Sequence, residues 1–457
     1  MRRTLKRRSA PGIIALMIEN HLAMDARAMF EAGLAAVNAE HAVSQHLRAT
    51  EDVAPSPRKG VRVLALGKAA SAMTRGAASV LGLRLQGGLC VSVEGAPPPP
   101  PGVALVTAAH PLPDLRSLDA AARARAVVRS CLPGDELLVL LSGGTSSLME
   151  MPAPGLTLDD LVEMHGLLLR SGAPIGEMNA VRAALSRVKG GRLLLELPAG
   201  VACRVLVVSD VPGNALEVVG SGPFHPTPAP ASRAIDVLRG IGLLDDAPRA
   251  VVEALSARRA EDAAYIDAVR GRARDVSHVV VADCSVMAQA AATRARALGY
   301  DASLLSTRVD GEARDVGALL ARLSREVRRE VEASATRRRC IIASGESTVR
   351  VSGDGRGGRC QEAALAFATR AEGTSGALLL CAASDGIDGP TPAAGALADG
   401  RTAARARTLG LDAREMLLRH DAYDFFEPLG DLVVTGPTQT NTNELYVLLV
   451  EGGDATS

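Results

Sequence analysis

The chain has 457 residues, no net formal charge, and 47% hydrophobic against 22% charged residues. That length exceeds one ordinary core and predicts two domains, in a composition typical of soluble globular proteins. A balance of 51 basic and 51 acidic residues excludes a general nucleic-acid or polyanion binder, which would carry a basic excess.

The start, 1–8, is basic, and the apolar run 13–18 is far too short to span a bilayer. It lacks a signal-peptide cleavage region, so we read it as a frayed start and expect no membrane attachment. Seven cysteines (Cys90, Cys131, Cys203, Cys284, Cys340, Cys360, Cys381) show neither a C-x-x-C pair nor zinc-ligand spacing. They read as buried thiols of a cytoplasmic protein. Aromatic residues are 2% of the chain, so the core must be built from Ala, Leu and Val.

In chain order, 22–37 places Leu22, Ala26, Met29, Phe30, Gly33, Leu34 and Val37 on one helical face. A polar break at 52–57 precedes a predicted strand, Val61–Leu66, then Gly67-Lys68 and a small-residue helix over 69–81. Lys68 opens that helix, where an ammonium can approach a phosphate or a developing charge. The run 137–141 leads into Ser142-Gly143-Gly144-Thr145-Ser146-Ser147. Two glycines there let backbone N–H groups turn toward an anion, and the hydroxyls add donors.

Asn179, Arg182, Ser186 and Lys189 recur at spacings of three or four, which predicts one helix face suited to gripping a carboxylate or phosphate. Asp210 follows the run 205–208, a position for a general base or an indirect Mg2+ ligand, and equally for a turn-forming Asp. The Pro-rich segment 222–230 is the expected domain boundary. After the run 278–282, an Arg/Glu-rich helix is predicted over 319–339.

The run 340–343 precedes a loop with four glycines: Gly353, Gly355, Gly357 and Gly358. By letter Gly353, Gly355 and Gly358 satisfy the dinucleotide pattern G-x-G-x-x-G. Arg356 and Arg359 suit a phosphate more directly, and a helix is predicted from Gln361 to Phe367. After the run 378–382, Asp385 and Asp388 could hold a hard cation or serve as turn residues. The stretch 435–444, with Thr438 and Asn441, is dense in hydroxyls and amides and precedes a last strand over 446–450.

Strands alternating with helices predict an α/β class with largely parallel, helix-flanked sheets, and ligands at their carboxyl edges. No Walker sequence is present, so a nucleotide kinase here would use another phosphate loop.

Taken as an ordered set, these motifs resemble the glycerate 2-kinase family, whose carboxyl-terminal module is called MOFRL. The matching stretches are Gly67-Lys68-Ala69-Ala70, His110-Pro-Leu-Pro-Asp114, the serine loop from Ser142, Glu177 to Arg182, Lys189 to Leu193, Ser209 to Gly213 and Ser221-Gly-Pro223. In the second half they are Gly345-Glu346 to Val349, Gly357-Gly358-Arg359 to Glu362, Asp385 to Thr391 and Thr435 to Asn441.

The resemblance implies a Rossmann-like kinase domain over 1–235 and a MOFRL-type domain over 236–457, with the active site in the cleft between them. It implies ATP-dependent phosphorylation of D-glycerate at the 2-hydroxyl, with Mg2+. The family's catalytic lysine falls on Lys68, its key arginine on Arg359 and its acid on Asp210. Substrate and ATP contacts are expected from Ser142, Gly143, Gly144, Thr145, Ser146, Asn179, Arg182 and Lys189. Others are expected from Glu346, Gly357, Gly358, Asp385, Asp388, Thr438 and Asn441, with Asp210 and Asp385 as metal candidates.

Cys360, Thr145, Thr442 and Glu444 depart from the family's usual Asn, Gly, Val and Asp. Two other readings stand beside this one: an NAD(P)H-dependent hydroxypyruvate reductase, and a metabolite-binding protein without catalysis. The sequence leaves monomer and homo-oligomer equally open.

Overall fold

The computed structural model describes residues 21–51, 60–211, 213–333 and 337–452. The basic start, the apolar run 13–18, the break at 52–57 and Pro212 of the Asp210 loop lie outside the described residues. Contacts divide the chain into two units. The amino unit comprises Ala36–Asp283 with Gln439–Thr442; the carboxyl unit holds the chain up to Ala35, Cys284–Thr438 and the chain from Asn443.

The strands of the amino unit are β1 (Val61–Leu66), β2 (Leu85–Val93), β3 (Val103–Ala108), β4 (Glu136–Ser142), β5 (Ala202–Val208) and β6 (Val276–Ala282). They form one sheet in the order β3-β2-β1-β4-β5-β6, parallel throughout. The central strands are buried on both faces, as a helix-covered parallel sheet requires. With every strand running the same way, the loops after β1, β3, β4, β5 and β6 all emerge at one edge. Leu64, Leu66, Val139, Val205 and Phe224 belong to the core beneath them.

The strands of the carboxyl unit are β7 (Asp301–Val309), β8 (Arg338–Gly345), β9 (Ala377–Ala383), β10 (Gly395–Asp399), β11 (Leu432–Val433) and β12 (Glu444–Glu451). Their order is β11-β10-β9-β12-β8-β7. The α/β class and the helix-flanked sheet hold here too, but the pairing is mixed. β7 runs parallel to β8, whereas β12 lies antiparallel between β8 and β9, and β10 is antiparallel to β9 and β11. The last strand enters from the far end of the chain, so its direction is free of the crossover rule that makes consecutive βαβ strands parallel. As a result β8 and β9 share a direction, and the loops after them meet the start of β12 at one edge.

Several sequence expectations shift. The expected boundary at 235/236 falls inside the helix Ala231–Gly240, whose Ala234, Ile235 and Leu238 pack in a helical core with Leu161, Met164 and Leu255. The Pro-rich segment 222–230 is not a linker, because Phe224 is fully buried and Gly191 N–H donates to Gly222 O at 2.8 Å. The Arg/Glu-rich helix spans Ala313–Ala333, and strand β8 has begun by Arg338. The helix Ile175–Ala184 is shorter than the polar stripe predicted, so Ser186 and Lys189 lie beyond it. Strands β2, β3, β7, β10 and β11 are additions to the sequence reading. Among the described residues no helix is long and apolar enough to cross a membrane.

Candidate active site

In the amino unit the loops after β1 and β4 are stitched together. Lys68 N–H donates to Gly143 O at 2.9 Å, and Ala69 N–H donates to Ser142 Oγ at 3.1 Å. Ser142 Oγ in turn donates to Leu66 O at 3.2 Å. Gly67 has a φ of 115°, and a Cβ there would stand 2.3 Å from Ser142 Oγ, so only glycine fits this crossing. Ser142 is therefore a brace that fixes where Lys68 begins, and its hydroxyl is spent inside the protein.

The other hydroxyls of the serine loop are similarly engaged. Thr145 Oγ1 donates to Ser142 O at 2.8 Å, Ser147 Oγ to Gly144 O at 3.2 Å, and Ser146 Oγ lies 3.0 Å from Ser221 Oγ. Thr145–Leu148 is a single helical turn opened by Gly144 at a φ of 85°. The loop is thus a preformed turn whose side chains shape its own backbone.

Three further residues converge on Gly143 and Gly144. A Cβ on Gly143 would stand 1.9 Å from Asp210 Oδ2 and 3.1 Å from Asn441 Nδ2, and Asn441 Nδ2 donates to Asp210 Oδ2 at 3.2 Å. A Cβ on Gly144 would stand 3.2 Å from the His110 ring and 3.3 Å from Lys68 Cγ. Lys68, His110, Asp210 and Asn441 thus surround one glycine pair at the carboxyl edge of a parallel sheet. Asn214, on the Asp210 loop, donates to Asp283 Oδ2 at 2.5 Å and ties that loop to the end of β6.

The sequence alone gives His110 no role beyond its place in the motif His110–Asp114. The missed signal is β3, which places His110 at the same edge as Lys68. Desolvation of the ring, and then the Lys68 ammonium, push its pKa down to about 4. The imidazole is therefore neutral at pH 7, although the side chain keeps an exposed edge.

Asn179, Arg182 and Lys189 separate. Asn179 lines a cavity of about 170 Å³ with Glu217, Ser221, Thr227 and Arg233. Arg182 is half-buried, and burial lowers its basicity against the opposing pull of Glu150. Lys189 and Glu150 are both fully buried and form an ion pair, with Ser186 Oγ donating to Glu150 at 2.6 Å. Lys189 serves the interior, since a buried cation needs its partner carboxylate. His165 beside this pair is pushed down to about 2 by burial, then by Lys189 and Arg182.

In the carboxyl unit Arg359 is the first residue of the helix Arg359–Arg370. Its Nη1 donates to Glu346 Oε1 at 2.7 Å and to Ser347 O at 3.2 Å, and its Nε pairs with Glu444. Glu444 is fully buried and accepts from Ser347 N–H at 3.1 Å and from Tyr446 OH at 2.6 Å. Burial opposes the charge on Arg359, but Glu444 and Glu346 outweigh it and push its pKa up. Glu346, expected as a ligand contact, is here one arm of the clamp that aims Arg359.

The four glycines before Arg359 face protein. A Cβ on Gly353 or Gly355 would stand 2.5 Å from Arg419 O, and one on Gly357 would stand 3.2 Å from Ala422 N. One on Gly358 would stand 2.3 Å from Asp388 Oδ1. The G-x-G-x-x-G spacing fits this close backbone seating, reinforced by Gly355 N–H to Arg419 O at 2.9 Å.

Asp388 is 2% exposed and accepts from Cys360 N–H at 3.0 Å and Gln361 N–H at 2.8 Å. It satisfies the helix's first donors, and burial pushes its pKa up to about 7. Asp385 Oδ1 accepts from Ile387 N–H at 3.1 Å, and Thr438 Oγ1 donates to Ser384 O. Cys360 is buried, its thiol pushed up by desolvation, and it points into the core beside Cys381. Among the described residues no group of three or more His, Cys, Asp or Glu converges as a metal site.

Residues 25–256 match the family described as a domain of unknown function (DUF4147), and 339–444 match the MOFRL family. A D-glycerate 2-kinase of Thermotoga maritima is 35% identical over 394 residues, 85% of this chain and 90% of its own length. A protein of Agrobacterium vitis provisionally named a hydroxypyruvate reductase is 35% identical over 93% of each chain. The crystal structure of a glycerate kinase from Thermotoga maritima superimposes with a TM-score of 0.81 at 32% identity, covering 94% of this chain and 99% of that one.

Proposed function

The chain belongs to the glycerate 2-kinase family, and from that premise we propose that it is a kinase that phosphorylates D-glycerate at the 2-hydroxyl with MgATP, in the cytoplasm. The observation that carries this reading is the convergence of Lys68, His110, Asp210 and Asn441 on the Gly143-Gly144 turn. An ammonium, a carboxylate oriented by an amide and a close-approach glycine backbone are the parts phosphoryl transfer needs, because that reaction depends on positioning and charge stabilisation.

In this reading Asp210 orients the glycerate 2-hydroxyl and accepts its proton. Asn441 donates to one carboxylate oxygen and so orients the group. Lys68 stabilises charge on the transferring phosphoryl group. Neutral His110 offers a hydrogen bond there without adding a competing cation. Arg359, fixed by Glu346 and Glu444, is the second cation assigned to phosphoryl charge. Mg2+ enters with ATP as part of the substrate, and Asp210 and Asp385 are the carboxylates proposed to face it. Asp388 is withdrawn from that role by its position under the helix start.

The test is incubation with D-glycerate and MgATP, with products identified by phosphorus NMR, beside a parallel reaction of hydroxypyruvate with NADH. We expect 2-phosphoglycerate and ADP. Formation of 3-phosphoglycerate alone would refute the 2-kinase reading, NADH oxidation would favour a reductase, and saturable binding without product would favour a binding protein.

A further inference from the structure

The proposed reaction leaves unused a group of arginines in the amino unit. Arg192 donates to Ala183 O at 2.9 Å, and Arg258 donates to Ala184 O at 2.8 Å and Ser186 O at 3.3 Å. Arg192 also lies over the Tyr265 ring, 4.1 Å from its centroid. Together with Arg125 and Arg187 they line a cavity of about 430 Å³. Glu196 and Glu261 share the wall, so four cations face two carboxylates. Glu196 is already bound by Arg125 at 2.7 Å and by Arg129 at 2.9 Å. Arg187 is exposed and pairs with no carboxylate among the described residues. Burial and, to a lesser degree, the Arg187 charge work against the charge on Arg258, while Tyr265, Glu261 and Asp262 favour it.

Cations held this close raise one another's energy, and a ligand anion would add to the relief that Glu261 and Asp262 give. The volume suits a small molecule rather than a single ion. Guanidinium forks match phosphate oxygens in pairs. Arg192 covers one face of the Tyr265 ring, which closes that face to a nucleobase. We propose that this cavity binds a small phosphorylated metabolite with at least two negative charges and no base, held by Arg187, Arg192 and Arg258. The site is separate from the Lys68 loops and independent of the reaction assigned to them.

The test is calorimetric titration of the full chain with inorganic pyrophosphate, comparing Lys68→Ala with Lys68→Ala/Arg187→Gln. The Lys68→Ala background removes the cation of the sheet-edge loops, and the Arg187 side chain bonds nothing that folding needs, so melting temperatures should agree. We expect Lys68→Ala to bind pyrophosphate, more weakly as salt rises. Arg187→Gln should weaken that binding about tenfold or more, the effect of losing one charge-assisted contact. Absence of binding in Lys68→Ala, or equal binding by the two variants, would overturn the proposal.

Discussion

Gly143 lies so close to Asp210 that a Cβ on the glycine would stand 1.9 Å from the carboxylate Oδ2. The backbone of the β4 loop and the side chain of the β5 loop therefore share one space, and the missing Cβ sets where the carboxylate rests.

Gly143→Ala should displace Asp210 without unfolding the sheet, because the contact is the far end of a side chain and Gly143 needs no left-handed backbone. Turnover should fall by about 10²–10³, the scale of losing one positioned group. Thermal melting should stay within about 1 kcal/mol of wild type. Unchanged kcat would remove Asp210 from the chemistry.

Lys68→Ala and Arg359→Ala should each cost about 2–4 kcal/mol of transition-state stabilisation. Arg359→Ala also leaves buried Glu444 without its guanidinium partner, so its melting temperature should drop. Near-normal turnover in a folded double variant would sink both assignments.

His110 should titrate near pH 4 by NMR. Its folded pKa lies below the unfolded value of about 6.5, so the unfolded chain binds more protons between them. The group's contribution to stability is thus present above pH 6.5 and is lost as pH falls toward 4. Lys68→Ala should raise the midpoint only partly, because desolvation is the larger cause. A midpoint that stays put would show that the ammonium does not face the ring.

Lys189→Met should destabilise the fold by about 3–5 kcal/mol, because it strands Glu150 in the interior. Adding Glu150→Leu should recover most of that loss in a denaturant titration. A variant of wild-type stability with a raised KM for glycerate would instead return Lys189 to substrate binding.

The serine and Gly-Lys loops were legible because each follows an apolar strand, and strand ends in α/β folds collect ligands. His110 was not, because β3 (VALVTA) follows a proline-rich loop and its short alternating pattern carries little signal. Lys189 misled for a related reason. Its spacing from Asn179 fits a helix that ends at Ala184, and the turn that follows carries Lys189 inward to Glu150.

By itself the sequence determined the α/β class, most of the central strands, the family and the loops that carry its motifs. These depend on local hydrophobic periodicity and on residue order, both of which are written along the chain. Only the tertiary structure decided what each polar residue faces. The glycines before Arg359 seat backbone against Arg419, Ala422 and Asp388, and Glu444 closes on Arg359 from a segment far away in sequence, opposite Glu346. Whether a polar group meets solvent, ligand or a buried partner is a property of packing between distant segments, which residue spacing does not encode.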